Sequence, residues 1–296
     1  MSITGTGLPL VTPFDDDGDV DHDGLADLVS WVETRGIDFI VPAGSNSEAP
    51  MLSTDEHAAV VETVCEAASI PVMAGTGTPG YGPTLDLTGR AADAGAEGAL
   101  VVTPFYYDHD QEALEAYYRD LADEASIPIY LYSVPAYTHK PIDPEVVGRL
   151  AEHPNIRGMK DSSGNVDRFY RTLDRVGDAD FDLFVGSGGV YAPALDAGAS
   201  GGILALANVA PDLASAIYER HTSGDREGAH ALNDAGRDLN FAVTATHSIP
   251  GLKAAMKSRG APAGELRRPH RPVDDDVAEE LAEMVEEALM PLEATP

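Results

Sequence analysis

Lysine is scarce in this chain of 296 residues: Lys140, Lys160, Lys253 and Lys257 are the only four, against 15 arginines. Cations of both kinds are outnumbered 19 to 50, which leaves a formal net charge of −31. A surface of that sign repels a polyanion, and no Lys/Arg stripe offsets it, so nucleic acid is excluded as a partner. An acidic, lysine-poor, alanine-rich chain that can still fold points to a protein kept soluble at high salt, where screening weakens self-repulsion. Most of the acids form a solvated face. Cysteine is reduced to Cys65 alone, which rules out a disulfide framework and fits a reducing, cytoplasmic compartment. With Val61 and Val64 on the same face of an expected helix, Cys65 reads as a packed core thiol. The nine histidines never fall at metal-ligand spacing, which argues against a zinc aldolase or hydrolase. No stretch approaches a membrane span, and the first five residues lack the charged and apolar regions of a secretory leader.

What is present is a repeating rhythm. Hydrophobic residues make up 43% of the chain, enough for a large core. Short apolar runs at 8–14, 39–43, 72–75, 99–103, 129–134, 156–160, 183–186 and 203–207 alternate with amphipathic helical segments. These runs are continuous rather than alternating, as expected of parallel strands buried on both faces. Ser53 with Glu56 forms a capping box, Asp143 precedes a proline at a first helical position, and Asp110 opens another helix. Gly36, Gly95 and Gly198 fall where helices should stop. Ala68-Ser69-Ile70-Pro71 recurs as Ala125-Ser126-Ile127-Pro128, 57 residues on and close to two βα units. Eight such units predict an α/β fold, a (β/α)₈ TIM barrel over residues 1–210, with a C-terminal helical extension over 211–296. An open doubly wound sheet is the competitor, but no Gly-x-Gly-x-x-Gly follows the first run.

In such a barrel the active site forms at the carboxyl ends of the strands. The second run leads into Gly44-Ser45-Asn46-Ser47-Glu48, the fourth into Thr103-Pro104-Phe105-Tyr106-Tyr107, and the fifth into Tyr132-Ser133-Val134-Pro135. The sixth ends at Lys160, shortly before Ser162. A buried amine at a strand end is held where desolvation disfavours the ammonium form, and a neutral amine can form a Schiff base with a carbonyl. The plain alternative is a lysine that reaches solvent or pairs with a carboxylate. Small polar residues after a strand usually make the turn, and paired tyrosines usually pack. Their convergence on one barrel face favours a site.

These motifs resemble the dihydrodipicolinate synthase and N-acetylneuraminate lyase superfamily of Schiff-base lyases over nearly the whole chain. Further landmarks are Leu10-Val11-Thr12-Pro13-Phe14, Ala74-Gly75-Thr76-Gly77 and Gly158-Met159-Lys160-Asp161-Ser162. Tyr132-Ser133-Val134-Pro135-Ala136, Ala205-Leu206-Ala207-Asn208-Val209 and Ile249-Pro250-Gly251-Leu252-Lys253 are most similar to the 4-hydroxy-2-oxoglutarate aldolase branch. Lysine-pathway enzymes carry an arginine after the strand-five proline, and Tyr137 stands at that position here. The resemblance implies a class I pyruvate-dependent aldolase without cofactor or metal, acting on a small 2-oxo acid and assembled as a homo-oligomer, a tetramer by family analogy. It implies Lys160 as the Schiff-base lysine, Tyr132 as proton shuttle, and Ser45 and Tyr107 as relay hydroxyls, with Tyr107 reaching a neighbouring subunit's site. Substrate binding falls to Ser45, Asn46, Ser47, Ser162, Gly186 and Ile203. The implied reaction is cleavage of a 4-hydroxy-2-oxo acid to pyruvate and an aldehyde. A 2-keto-3-deoxy sugar acid aldolase or dehydratase, a dihydrodipicolinate synthase and a non-catalytic keto-acid sensor are the alternatives.

Overall fold

The computed structural model describes residues 3–293. Eight parallel strands are β1 (Gly5–Pro9), β2 (Phe39–Val41), β3 (Met73–Gly75), β4 (Gly98–Val102), β5 (Ile129–Ser133), β6 (Ile156–Asp161), β7 (Asp182–Val185) and β8 (Gly201–Ile203). They hydrogen-bond in the order β2-β1-β8-β7-β6-β5-β4-β3. The two ends meet through a parallel bridge from Ile40 to Val72, and the Gly75 N–H donates to the Pro42 carbonyl at 2.9 Å. The sheet therefore closes into the expected (β/α)₈ barrel.

Closure explains why the apolar runs are continuous. Phe39, Val41, Met73, Leu100, Tyr130, Tyr132, Phe184 and Ile203 point inward and form one buried cluster. Their strand neighbours Ile40, Ala74, Ala99, Val101, Leu131, Met159, Leu183 and Val185 point outward into a second core beneath the helices. Each strand thus buries both faces. Inside the barrel Phe39 meets Phe184 edge-on at 5.4 Å between centroids.

Helix ends follow the local chemistry with one exception. Ser53 and Glu56 complete both bonds of the capping box, and Asp110 accepts from the Ala113 N–H at 2.8 Å. Asp143 stands at the N-cap of Pro144–Leu150, but its side chain makes no capping bond. Its backbone N–H instead donates to Gln111 Oε1 at 2.9 Å. The repeated Ala-Ser-Ile-Pro junctions share one geometry: Ala68 ends its helix at φ −76° and ψ 139°, Ala125 at φ −72° and ψ 137°.

Two strands are displaced from their expected runs. The first lies at Gly5–Pro9, and Leu10 onward leaves the sheet after the Leu10 N–H reaches the Val41 carbonyl at 3.0 Å. The eighth lies at Gly201–Ile203, while Leu206–Val209 is helical. Its two opening glycines carry no apolar signal, so hydrophobicity alone marked only its end. Beyond position 210, the helix Pro211–Thr222 packs on β1 and on the helix Tyr191–Ala197, which is the packing of an eighth barrel helix. The segments Arg226–Ala235, Arg237–Phe241, Ser248–Ser258 and Asp275–Glu293 pack on one another beside it. Leu281, Val285 and Ala288 are buried in the acidic last helix, with Val277 and Met284 half-buried against the core. No helix among the described residues is long and apolar enough to cross a membrane.

Candidate active site

β5 and β6 run side by side with Tyr132 in register with Lys160. Residues in register share a face, so both side chains point into the barrel mouth. Lys160 is 4% exposed, and its Nζ lies 4.4 Å from the Tyr132 ring centroid. The other three lysines each hold a carboxylate: Lys140 with Asp108 at 2.7 Å, Lys253 with Glu48 at 2.9 Å and Lys257 with Glu265 at 2.6 Å. Among the described residues Lys160 has none. It neither reaches solvent nor forms an ion pair, so the plain reading of a strand-end lysine does not apply to it.

A cavity of about 290 Å³ opens over the amine, walled in part by Ser45, Asn46, Tyr132, Ser162 and Gly186. Gly186 is needed for this arrangement, since a Cβ there would lie 1.9 Å from Ser162 Oγ and 3.0 Å from Lys160 Cε. A second cavity of about 440 Å³ shares Ser45, Tyr132 and Tyr137 with the first. Its wall includes His57, which burial holds below the usual histidine range. A neutral His57 donates from Nε2 to the Gly75 carbonyl at 2.7 Å.

Two expected substrate contacts, Ser47 and Ile203, are buried and stand back from the cavity wall. Ser47 is fully buried: its hydroxyl donates to the Leu10 carbonyl and accepts from the Gly44 N–H at 3.0 Å, while its own N–H bonds the Gly44 carbonyl at 3.1 Å. Ser47 therefore holds the loop closed and offers nothing to a ligand. Ile203 is buried in the cluster inside the barrel and is not among the residues walling the cavity. Tyr107 is 72% exposed and stacks edge-on against Tyr106 at 5.0 Å, outside the cavity. The backbone singles out its neighbour, because Tyr106 adopts φ 89°, a conformation L-residues rarely hold.

Glu48 ends the Ser45–Asn46–Ser47 loop with φ 58° and a fully buried carboxylate. Its Oε1 faces Lys253 Nζ at 2.9 Å, off the angle of a hydrogen bond, and its Oε2 accepts from His270 Nδ1 at 2.9 Å. Lys253 also donates to the carbonyls of Thr12 at 2.8 Å and Glu265 at 2.6 Å. Burial pushes the Lys253 amine below the usual lysine range, and Glu48 opposes that shift. Cys65 lies away from both cavities, and burial pushes its thiol up to about 11, as suits a packing residue.

The sequence reading missed one wall of the site. Asn240, Val243, Thr244, Ala245, Ser248 and Ile249 all line the Lys160 cavity, and all come from the C-terminal extension. Thr244 sits in a π-helical turn, Ala242–Thr246, and Ser248 adopts φ 51°. Both are irregularities of a kind that collects at functional sites. Only the Ile249-Pro250-Gly251-Leu252-Lys253 landmark pointed to this segment.

Comparison with known proteins decides the lineage, since residues 2–288 match the Dihydrodipicolinate synthetase family. The chain belongs to that family. It is 37% identical over 278 residues to an uncharacterized DapA-like lyase of Halobacterium salinarum, covering 93% of this chain and 91% of the relative. It is 35% identical to the 4-hydroxy-tetrahydrodipicolinate synthase of Haloarcula marismortui, covering 93% and 90%. The crystal structure of a chloride-inhibited dihydrodipicolinate synthase from Acinetobacter baumannii, complexed with pyruvate, superposes with a TM-score of 0.90 at 32% identity, over 97% of this chain and 99% of that one. Membership of the dihydrodipicolinate synthetase family makes the protein a class I, pyruvate-dependent lyase or synthase. Its halophilic archaeal relatives agree with the charge of −31.

Proposed function

We propose that the protein is a Schiff-base aldolase that cleaves a 4-hydroxy-2-oxo acid to pyruvate and an aldehyde. The observation that carries this reading is the Lys160 amine, buried at the barrel mouth, free of any carboxylate and set against Tyr132. Lys160 Nζ adds to the C2 carbonyl, and loss of water from the carbinolamine leaves an iminium. Tyr132 gives its phenol proton to the water leaving the carbinolamine. The phenolate so formed takes the proton of the C4 hydroxyl through the Ser45 hydroxyl as the C3–C4 bond breaks, and the electrons of that bond pass into the iminium to form an enamine. Protonation at C3 and hydrolysis then release pyruvate and regenerate the amine. The Ser45–Asn46 loop receives the C1 carboxylate, and Ser162 lies across the cavity beside Gly186. A second tyrosine of the relay comes from the Tyr106–Tyr107 pair of another copy, because on its own protomer that pair is turned to solvent.

The relatives are named as a DapA-like lyase and as 4-hydroxy-tetrahydrodipicolinate synthases, so the choice of substrate rests on side chains of this chain. Tyr137, not an arginine, faces both cavities, which weighs against a synthase whose aldehyde carries a carboxylate. The same logic bears on 4-hydroxy-2-oxoglutarate, the dicarboxylic candidate. Among the described residues Lys160 is the only charged side chain lining its cavity, and the iminium consumes that group. An unpaired second carboxylate in such a pocket is costly. A neutral, hydroxylated tail, as in a 2-keto-3-deoxy sugar acid, suits the wall better.

Supplying 4-hydroxy-2-oxoglutarate, 2-keto-3-deoxygluconate and their non-hydroxylated counterparts in molar potassium chloride, and measuring pyruvate release, tests the reading. Pyruvate with a stoichiometric aldehyde supports aldol cleavage. Loss of water without pyruvate would make the enzyme a dehydratase, and turnover of none would leave a synthase or a keto-acid sensor.

A further inference from the structure

Lys160 touches no carboxylate, but the next residue along the strand is a buried acid. Asp161 ends β6 at 2% exposure. Successive strand side chains point to opposite faces, so with Lys160 turned into the barrel Asp161 is turned out of it. Its surroundings agree: Val166, Phe169, Val185, Val190 and Ala194 share a small pocket with it on the helix side of the strand. From the helix Val166–Val176, Arg168 reaches toward the acid, with Nε 4.0 Å from Asp161 Oδ2. Both atoms are buried, and neither has a hydrogen-bond partner. The pair stays apart because each partner is anchored elsewhere. Asp161 Oδ1 accepts from the Ser163 N–H at 2.7 Å, and Arg168 Nη2 donates to the Ile142 carbonyl.

A buried carboxylate and guanidinium that complete no hydrogen bond to each other are costly to the fold. What they supply is one charge of each sign behind the nucleophile, across the barrel wall from the cavity. The main chain makes that placement firm. The Ser162 N–H donates to the Ser133 carbonyl at 2.9 Å and the Gly186 N–H to the Asp161 carbonyl at 2.7 Å, so the end of β6 is tied to its neighbours on both sides. Ser133, Phe184 and Val185 flank Lys160 and Asp161 in register and carry no charge. Among the described residues, Tyr132 and Tyr137 are the other titratable side chains on the Lys160 cavity, and Asp161 is the only one in the pocket behind the strand.

We propose that Asp161 and Arg168 are positioning residues that act through Lys160, their opposed charges cancelling at the amine so that it can lose its proton and still carry the iminium charge. The carboxylate alone would favour the ammonium, and the guanidinium alone would oppose both charged forms. This inference deepens the aldolase reading and rests on Lys160 forming the Schiff base.

The test follows the rate of pyruvate trapping on Lys160 with cyanoborohydride, from acid to alkaline pH, in molar potassium chloride, where buried charges are screened far less than exposed ones. Asp161→Asn leaves Arg168 unbalanced and should move the midpoint of the profile down by about half a unit to one unit. Arg168→Met leaves Asp161 unbalanced and should move it up by a similar amount. The double variant should return to the wild-type midpoint, and Arg168→Lys, which keeps the charge, should not leave it. Each single variant has its own expected direction, so one suffices where the other fails to fold. A purely structural pair would raise KM and lower the unfolding midpoint while leaving the profile in place. Unmoved profiles in the single variants, or shifts of both in one direction, would overturn the proposal. Absence of trapping in the wild type would instead remove the aldolase reading.

Discussion

Lys160 and Lys253 are both almost fully buried, at 4% and 2% exposure, and the molecule treats them in opposite ways. Lys253 is surrounded by acceptors: one carboxylate, two carbonyls and the Phe14 ring at 4.8 Å. It joins the helix Ser248–Ser258 to the end of the Ser45 loop. Lys160 has a ring on one side and open cavity on the other. An ammonium with its acceptors in place is inert, because every lone pair that could stabilise its proton already does so. A buried amine without acceptors is available as a nucleophile. Burial is thus common to both lysines, and what separates them is the lack of partners at Lys160, the feature on which the proposed mechanism rests.

The same substitution at the two positions separates the roles. Lys160→Met should lower kcat by a factor on the order of 10⁴ or more, while leaving the unfolding midpoint equal or higher. Tyr132→Phe should come next, with kcat down by about 10²- to 10⁴-fold but Schiff-base trapping retained, as measured by stopped assays and mass spectrometry. Full turnover in that variant would take Tyr132 out of the mechanism. Lys253→Met should show the reverse pattern to Lys160→Met. It strands the Glu48 carboxylate and should cost about 3–5 kcal/mol of stability in denaturant titrations, with Glu48→Gln in the same chain restoring part of the loss.

Much of the barrel was legible because closure buries both faces of every strand and so writes continuous apolar runs. The meeting of Lys160, Tyr132 and Ser45 at one cavity was legible for a related reason: each stands at or near the end of a run, on the barrel face where active sites form in this fold. The errors have a common cause in long-range contacts. Ser47 looked like a ligand group because nothing nearby in the chain shows that its hydroxyl is taken by Leu10, 37 positions away. Asn240 was invisible because it lies in helices whose pattern reads as packing, far beyond the last strand. Gly201 and Gly202 open β8 without any hydrophobic signature.

The smallest effect expected concerns the link between the extension and the barrel. Arg267 donates to Glu56 Oε1 at 2.6 Å, and this hydrogen bond, with help from Ser53, holds the Glu56 carboxyl at about 2, below its usual 4.5. A carboxyl lowered by folding stabilises the folded state above about 4.5, and that contribution is lost as pH falls through about 2. With both groups partly exposed the effect should stay below about 1 kcal/mol. Unfolding of wild type and Glu56→Gln in molar salt should therefore differ near neutrality and converge in acid, and a constant difference would place the contribution elsewhere.

The contrast between the two buried amines can be tested in one experiment. Wild-type protein is incubated with pyruvate and sodium borohydride, digested, and its peptides mapped by mass. The account predicts one reduced pyruvate per chain, on Lys160, with Lys253 unmodified. An adduct on Lys253, or none on Lys160, would contradict it.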